Sequence, residues 1–148
     1  MKTYVLDSSA LILFLRNEPR AGKVREVLGS PQGGGHAAVM FVVNWGEVYA
    51  FMWRGWGQAV AESTLLDIAR FPLRLVDVDA PTAKLAATIK IRFGLPYADC
   101  FAAALAWSRR AAIVTADHDF RVLKKQVELL LFEFMDSSRR GLYRFLPG

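Results

Sequence analysis

Apolar positions fall into two kinds of run along the chain. Lys2–Leu6, His36–Val43, Leu73–Val78, Ala111–Thr115 and Val127–Phe132 are short and nearly continuous, the pattern of strands buried on both faces. Between them the apolar positions recur at helical spacing. Helices are expected over Ala10–Leu15, from Pro19 to about Gly29 and Ser30, from Asn44 to about Arg54, and over Gln58–Arg70, Ala80–Arg92, Tyr97–Arg110 and Asp117–Lys125. In Gln58–Arg70 the repeating positions are Val60, Leu65, Ile68 and Ala69. Ser8 or Ser9 suits the cap of the first helix, and Asn44 suits the cap of the third. Gly94 and Pro96 stop the helix before them. Strands alternating with helices predict a three-layer α/β domain with a mostly parallel sheet. One domain is expected over residues 1–148, in which 133–148 is a C-terminal extension without an assigned element.

Composition narrows the class. In 148 residues, 53% are apolar and 22% charged, which suits a folded core. Cys100 is the one cysteine, so no disulfide forms within the chain and no Cys-x-x-Cys metal site exists. No stretch reaches the roughly 20 apolar residues of a membrane span. A soluble, cytoplasmic protein is expected. The net charge of +5 points weakly to a polyanionic partner.

Four acids stand out by position. Ligands of open α/β sheets bind beyond the carboxyl ends of the strands. Asp7 follows the first strand and Asp117 follows the strand ending at Thr115. Glu47 lies in the first turn after the second strand. Asp99 lies in the first turn after Pro96, and it joins the others if its helix starts at the same edge. Alanine at 102, 103 and 106 gives that helix a small face able to lie close to the sheet. A helix start favours any one of these acids singly. Four on one edge raise each other's pKa unless a cation is shared, and hard ions such as Mg²⁺ and Mn²⁺ prefer carboxylate oxygens.

Two surface features accompany them. From Lys84 to Lys125, eight lysines and arginines stand against three aspartates. Arg109, Arg110, Arg121, Lys124 and Lys125 follow the acids and are candidates for phosphate contacts, although each also suits a solvated helix face. Phe41, Trp45, Tyr49, Phe51, Trp53 and Trp56 crowd 16 residues. Trp45, Tyr49 and Trp53 recur at i, i+4 and i+8, beside a stripe of Val48 and Met52. This surplus suits either a wide core face or a partner interface that includes Trp56.

The segments YVLDSSALI (4–12), NWGEV (44–48), LPYADCFAAALA (95–106) and TADHDF (115–120) resemble the PIN domain, and most nearly the VapC-type ribonuclease toxins. The resemblance covers residues 2 to about 132. It implies a parallel sheet of about five strands flanked by helices. It also implies a metal-dependent endoribonuclease in which Asp7, Glu47, Asp99 and Asp117 hold Mg²⁺ or Mn²⁺. Asp119 matches a further acid of some members. Ser9 and Thr115 match small polar positions that support the first and last acids. The implied partners are an RNA substrate, a small cognate antitoxin and a second copy of the chain. Trp45 and Cys100 are unusual beside the motif acids, and the segment from Glu133 extends past the typical last strand. His36 and His118 are the two histidines, expected at a strand start and turned away from the acids. The competing expectations are a catalytically silent PIN-like binding module and a nuclease acting on DNA. A phosphatase or receiver-like domain is disfavoured, because no lysine follows Thr115 before Lys124.

Overall fold

A computed structural model describes residues 2–29 and 36–132, without the side chain of His36. Strands β1 (Lys2–Leu6), β2 (His36–Phe41), β3 (Leu73–Val76), β4 (Ala112–Thr115) and β5 (Glu128–Leu131) form one sheet in the order β3-β2-β1-β4-β5. Every pairing is parallel, so the sheet is wholly rather than mostly parallel. The expected extension 133–148 lies outside the described residues.

Alternate strand residues point to opposite faces, and both sets are apolar. Tyr4, Leu6, Ala38, Met40, Ala112 and Val114 enter one core. There they meet helices α1 (Ser8–Leu15), α2 (Gly22–Gly29), α3 (Val42–Trp56) and α4 (Gln58–Ile68). Val5, Val39, Phe41 and Ile113 enter the other, against α5 (Ala80–Phe93) and α6 (Tyr97–Arg109). This is the three-layer arrangement that the sequence predicts. Phe41 meets Phe101 edge to face at 6.1 Å, fixing α6 on β2.

Several boundaries differ from expectation, each for a local reason. Asp7, not Ser8 or Ser9, caps α1: its carboxylate accepts from the Ala10 N–H at 2.9 Å. The strand expected over His36–Val43 ends at Phe41, and α3 begins at Val42 without a side-chain cap. Asn44 is therefore inside α3 rather than at its start, and Glu47 falls in the second turn. The buried face of α4 is Ala61, Thr64 and Ile68, while Val60 and Ala69 face outward. Pro19–Ala21 is a 3-10 turn ahead of α2, and the helix expected over Asp117–Lys125 is a 3-10 turn, His118–Leu123. Gly94, at φ 73, ends α5 in the left-handed conformation and donates to the Lys90 carbonyl at 2.9 Å.

Helix α6 matters most for the site. Asp99 to Ala106 are all buried, and α6 lies on β1, β2 and β4. Side chains no larger than alanine at 102, 103 and 106 permit this approach. Ala103→Leu is expected to cost about 1–3 kcal/mol through overpacking. A thermal melt reads the loss, and an unchanged melting temperature would show that α6 tolerates a larger gap from the sheet.

Candidate active site

The chain winds from β1 outward to β3, then crosses back to β4 on the other side of β1. The strand order reverses between β1 and β4, the place where such sheets leave a crevice at their carboxyl ends. Asp7 and Asp117 stand on the two sides of that reversal.

Asp7 is the most tightly held acid. Its Oδ1 accepts from Ser9 Oγ at 2.8 Å as well as from the Ala10 N–H, and its Oδ2 accepts from Thr115 Oγ1. The two hydroxyls also bind the far strand end. Ser9 Oγ accepts from the Ala116 N–H at 3.0 Å, and Thr115 Oγ1 accepts from the Asp117 N–H at 2.9 Å. Ser9 and Thr115 thus tie the end of β1 to the end of β4.

Glu47 reaches the site from α3. Its Oε1 accepts from Ser8 Oγ at 3.0 Å and from Asn44 Nδ2 at 3.2 Å. Asp99 arrives at the buried start of α6, where the helix dipole favours a carboxylate. Asp117 caps the 3-10 turn by accepting from the Asp119 N–H at 2.9 Å. Asp119 itself is exposed.

Asp99 is the acid that senses the other three. Burial lifts the Asp7 carboxyl to about 7, against the hydrogen bonds from Thr115, Ala10 and Ser9, and the charge of Asp117 adds to the rise. Asp99 is pushed up to about 8, first by burial and then by the charges of Asp7, Asp117 and Glu47. Asp99 and Asp117 share a hydrogen bond, and burial raises Asp117 too. Glu47 is raised by burial against the hydrogen bonds from Asn44 and Ser8. Among the described residues, no three His, Cys, Asp or Glu side chains are drawn close enough to enclose an ion. The donor set still suits a hard divalent cation: every candidate ligand is an oxygen, and the raised pKa values are the strain a cation relieves.

The basic residues divide. Arg121 and Lys124 lie on or beside the turn after Asp117 and are exposed. Arg121 Nη2 approaches His118 Nδ1, while His118 Nε2 lies 3.1 Å from the Phe132 carbonyl oxygen. Arg109 and Arg110 are not brought to the acids. They end α6, about 15 Å along the helix from Asp99. Arg110 adopts φ 52 there as the chain turns into β4. The aromatic stripe also divides. Trp45 packs partly against the core, and Tyr49 donates to Glu62 Oε1 at 2.6 Å. Trp53 and Trp56 are 45% and 49% exposed.

Two residues near the acids are not apparent as site residues in the sequence: Ser8 and Asn44, both on Glu47. The signal for Asn44 is its i, i+3 spacing from Glu47, which places them on one helix face. It becomes readable only if the helix starts before residue 44.

A wholly parallel sheet whose strand order reverses between β1 and β4, with carboxylates beyond the strand ends at that switch point, defines a doubly wound α/β protein. Residues 4–126 match the family model of the PIN domain, and the chain belongs to that family. Its fold is that of solved toxin–antitoxin structures. VapBC2 from Rickettsia felis, bound to a DNA fragment from its promoter, superposes with a TM-score of 0.71 at 15% identity, covering 88% of this chain and 99% of that one. VapC20 from Mycobacterium tuberculosis, a toxin that cleaves the Sarcin-Ricin loop, gives 0.64 at 17% identity, covering 80% and 93%. FitAcB from Neisseria gonorrhoeae gives 0.65 at 16%, covering 86% and 96%. No curated relative matches the sequence. Among the described residues no helix is long and apolar enough to cross a membrane.

Proposed function

We propose that this chain is a Mg²⁺- or Mn²⁺-dependent endoribonuclease and the toxin of a VapBC-type pair. What supports this reading is that burial raises the carboxyls of Asp7, Glu47, Asp99 and Asp117, and that the charges of Asp7, Asp117 and Glu47 raise Asp99 further. Asp7, Asp99 and Asp117 would hold the cation, and Glu47 would hold it or orient the attacking water. A bound divalent ion supplies an activated water and neutralises charge on the phosphoryl oxygens. The chain's own part is placement. Ser9 and Thr115 fix both oxygens of Asp7, so that carboxylate presents a set face to the crevice. Burial raises both Asp99 and Asp117, and a cation held between them would favour their ionised forms. Arg121 and Lys124, exposed on or beside the turn after Asp117, would contact RNA phosphates, a contact that gives affinity without sequence information.

The partner reading rests on exposed apolar surface. Trp53, Trp56, Val60 and Leu66 remain open on α3 and α4. A small antitoxin or a second copy of the chain is the occupant that the VapBC likeness suggests.

The test is cleavage of labelled single-stranded RNA and of the matched DNA, in Mn²⁺ or Mg²⁺ and then in EDTA, with Asp7→Asn as control. Cutting of RNA that needs metal and is lost in the variant is the expected result. Cutting that persists in Asp7→Asn or in EDTA would sink the assignment. Preference for DNA would favour the reading as a nuclease acting on DNA. Silence on structured RNAs as well would favour a binding module.

A further inference from the structure

We propose that Asn44 is a positioning residue whose buried amide sets where Glu47 and Asp99 stand relative to each other. The proposal rests on the reading of the four carboxylates as a cation site.

Asn44 is 0% exposed, inside α3 and facing α6. Its Nδ2 donates to Glu47 Oε1 at 3.2 Å and to the Ala98 carbonyl at 3.1 Å. An amide nitrogen has two N–H groups, and both are used. One holds the Glu47 side chain. The other holds the backbone of the residue before Asp99. A single side chain thus ties together the helices that deliver two of the four acids.

The orientation of the amide is forced. Turned over, it would set Oδ1 against two acceptors. As it stands, Oδ1 is buried without a partner among the described residues. An unpartnered buried oxygen is destabilising, so a core position between two helices would be more stable with an apolar residue. The asparagine breaks a packing rule in direct contact with the carboxylates, where such exceptions serve a site rather than the fold. Ser8 donates to the same Oε1, so the chain's donors gather on one oxygen of Glu47 and none of the described bonds engages Oε2. Oε2 is then the oxygen left for a ligand. Ser9 and Thr115 hold Asp7 independently of Asn44, so the site has two separate supports, one per pair of elements.

The experiment titrates the metal-free full chain with MnCl₂ by calorimetry, for wild type, Asn44→Leu and Ser8→Ala, with melting temperatures in EDTA. Asn44→Leu is expected to weaken Mn²⁺ binding by about 10–100-fold, the usual effect of losing a group that orients ligands, while its melting temperature in EDTA does not fall. Ser8→Ala, which touches Glu47 alone, is expected to lose less. In RNA cleavage, the Mn²⁺ concentration for half-maximal rate should rise by the same factor, with most of kcat recovered at saturating Mn²⁺. If leucine is not accommodated, Asn44→Ser keeps one donor and should show an intermediate loss. A merely structural role would lower the melting temperature and leave Mn²⁺ affinity unchanged, which overturns the proposal, as does a wild type that binds no Mn²⁺. A wild type that binds Mn²⁺ but leaves RNA intact would defeat the nuclease reading alone. The affinity of Asn44→Leu would still decide the role of Asn44.

Discussion

Asp99→Asn is expected to abolish RNA cleavage and at the same time make the folded protein more stable. Asp99 is buried, and its carboxyl is raised to about 8 by burial and by the charges of Asp7, Asp117 and Glu47. An amide of the same shape keeps the packing at the start of α6 and removes one of four mutually repelling charges. The gain in EDTA at pH 8 should be on the order of 2–4 kcal/mol, about 5–15 °C in melting temperature. The same change removes a proposed cation ligand, and several kcal/mol of lost transition-state stabilisation correspond to about a 10³-fold or greater fall in rate. Melting curves and initial cleavage rates on one preparation check both halves. A variant that is less stable than wild type at pH 8 would mean that the acids do not carry this repulsion.

The second large effect is a stability that declines as pH rises. In the folded state Asp7 and Asp99 titrate near 7 and 8, far above the ordinary aspartate value of 3.8. Below about pH 3.8 both folded and unfolded chains hold these protons, and the two groups cost nothing. As pH climbs, the unfolded chain ionises first, and the folded chain must either retain protons or bury charge. Their contribution therefore worsens from about pH 4 to about pH 8 and then levels off. In EDTA the melting temperature is expected to fall by about 5–15 °C between pH 5 and pH 8. Mn²⁺ should raise it, and by more at pH 8 than at pH 6, because binding then displaces fewer protons. A pH-independent Mn²⁺ effect would refute the account.

Much of this was legible in the chain. The strands could be read because each is apolar on both faces, and Asp7 and Asp117 could be placed because they follow two of those strands directly. Asp99 could be placed only conditionally, since α6 meets the edge through packing of Ala102, Ala103 and Ala106 rather than through a preceding strand. Asn44 was obscured by its own chemistry. It is a good capping residue, and the apolar pair Val42-Val43 reads as strand, yet the chain is helical from Val42. Arg109 and Arg110 are near the acids in sequence, but a helix is a rigid spacer and carries them to the opposite edge. Trp53 and Trp56 show the same limit from the other side. Periodicity groups aromatic residues on a face, but tertiary packing decides which of them remain exposed.

The hydroxyl of Thr115 that holds Asp7 spans 108 residues of chain. Parallel strands gain this kind of contact only after whole crossovers have closed, which makes such sheets slow to complete. During synthesis the amino-terminal elements emerge first. A growing chain that has reached β3 carries Asp7 and Glu47 but neither Asp99 nor Asp117. Half a crevice has little to hold an ion with, and little repulsion to overcome. The insertion of β4 beside β1 therefore brings the last of the four acids beside the first, and any chemistry that needs all four begins only once the far half of the sheet has joined the near half.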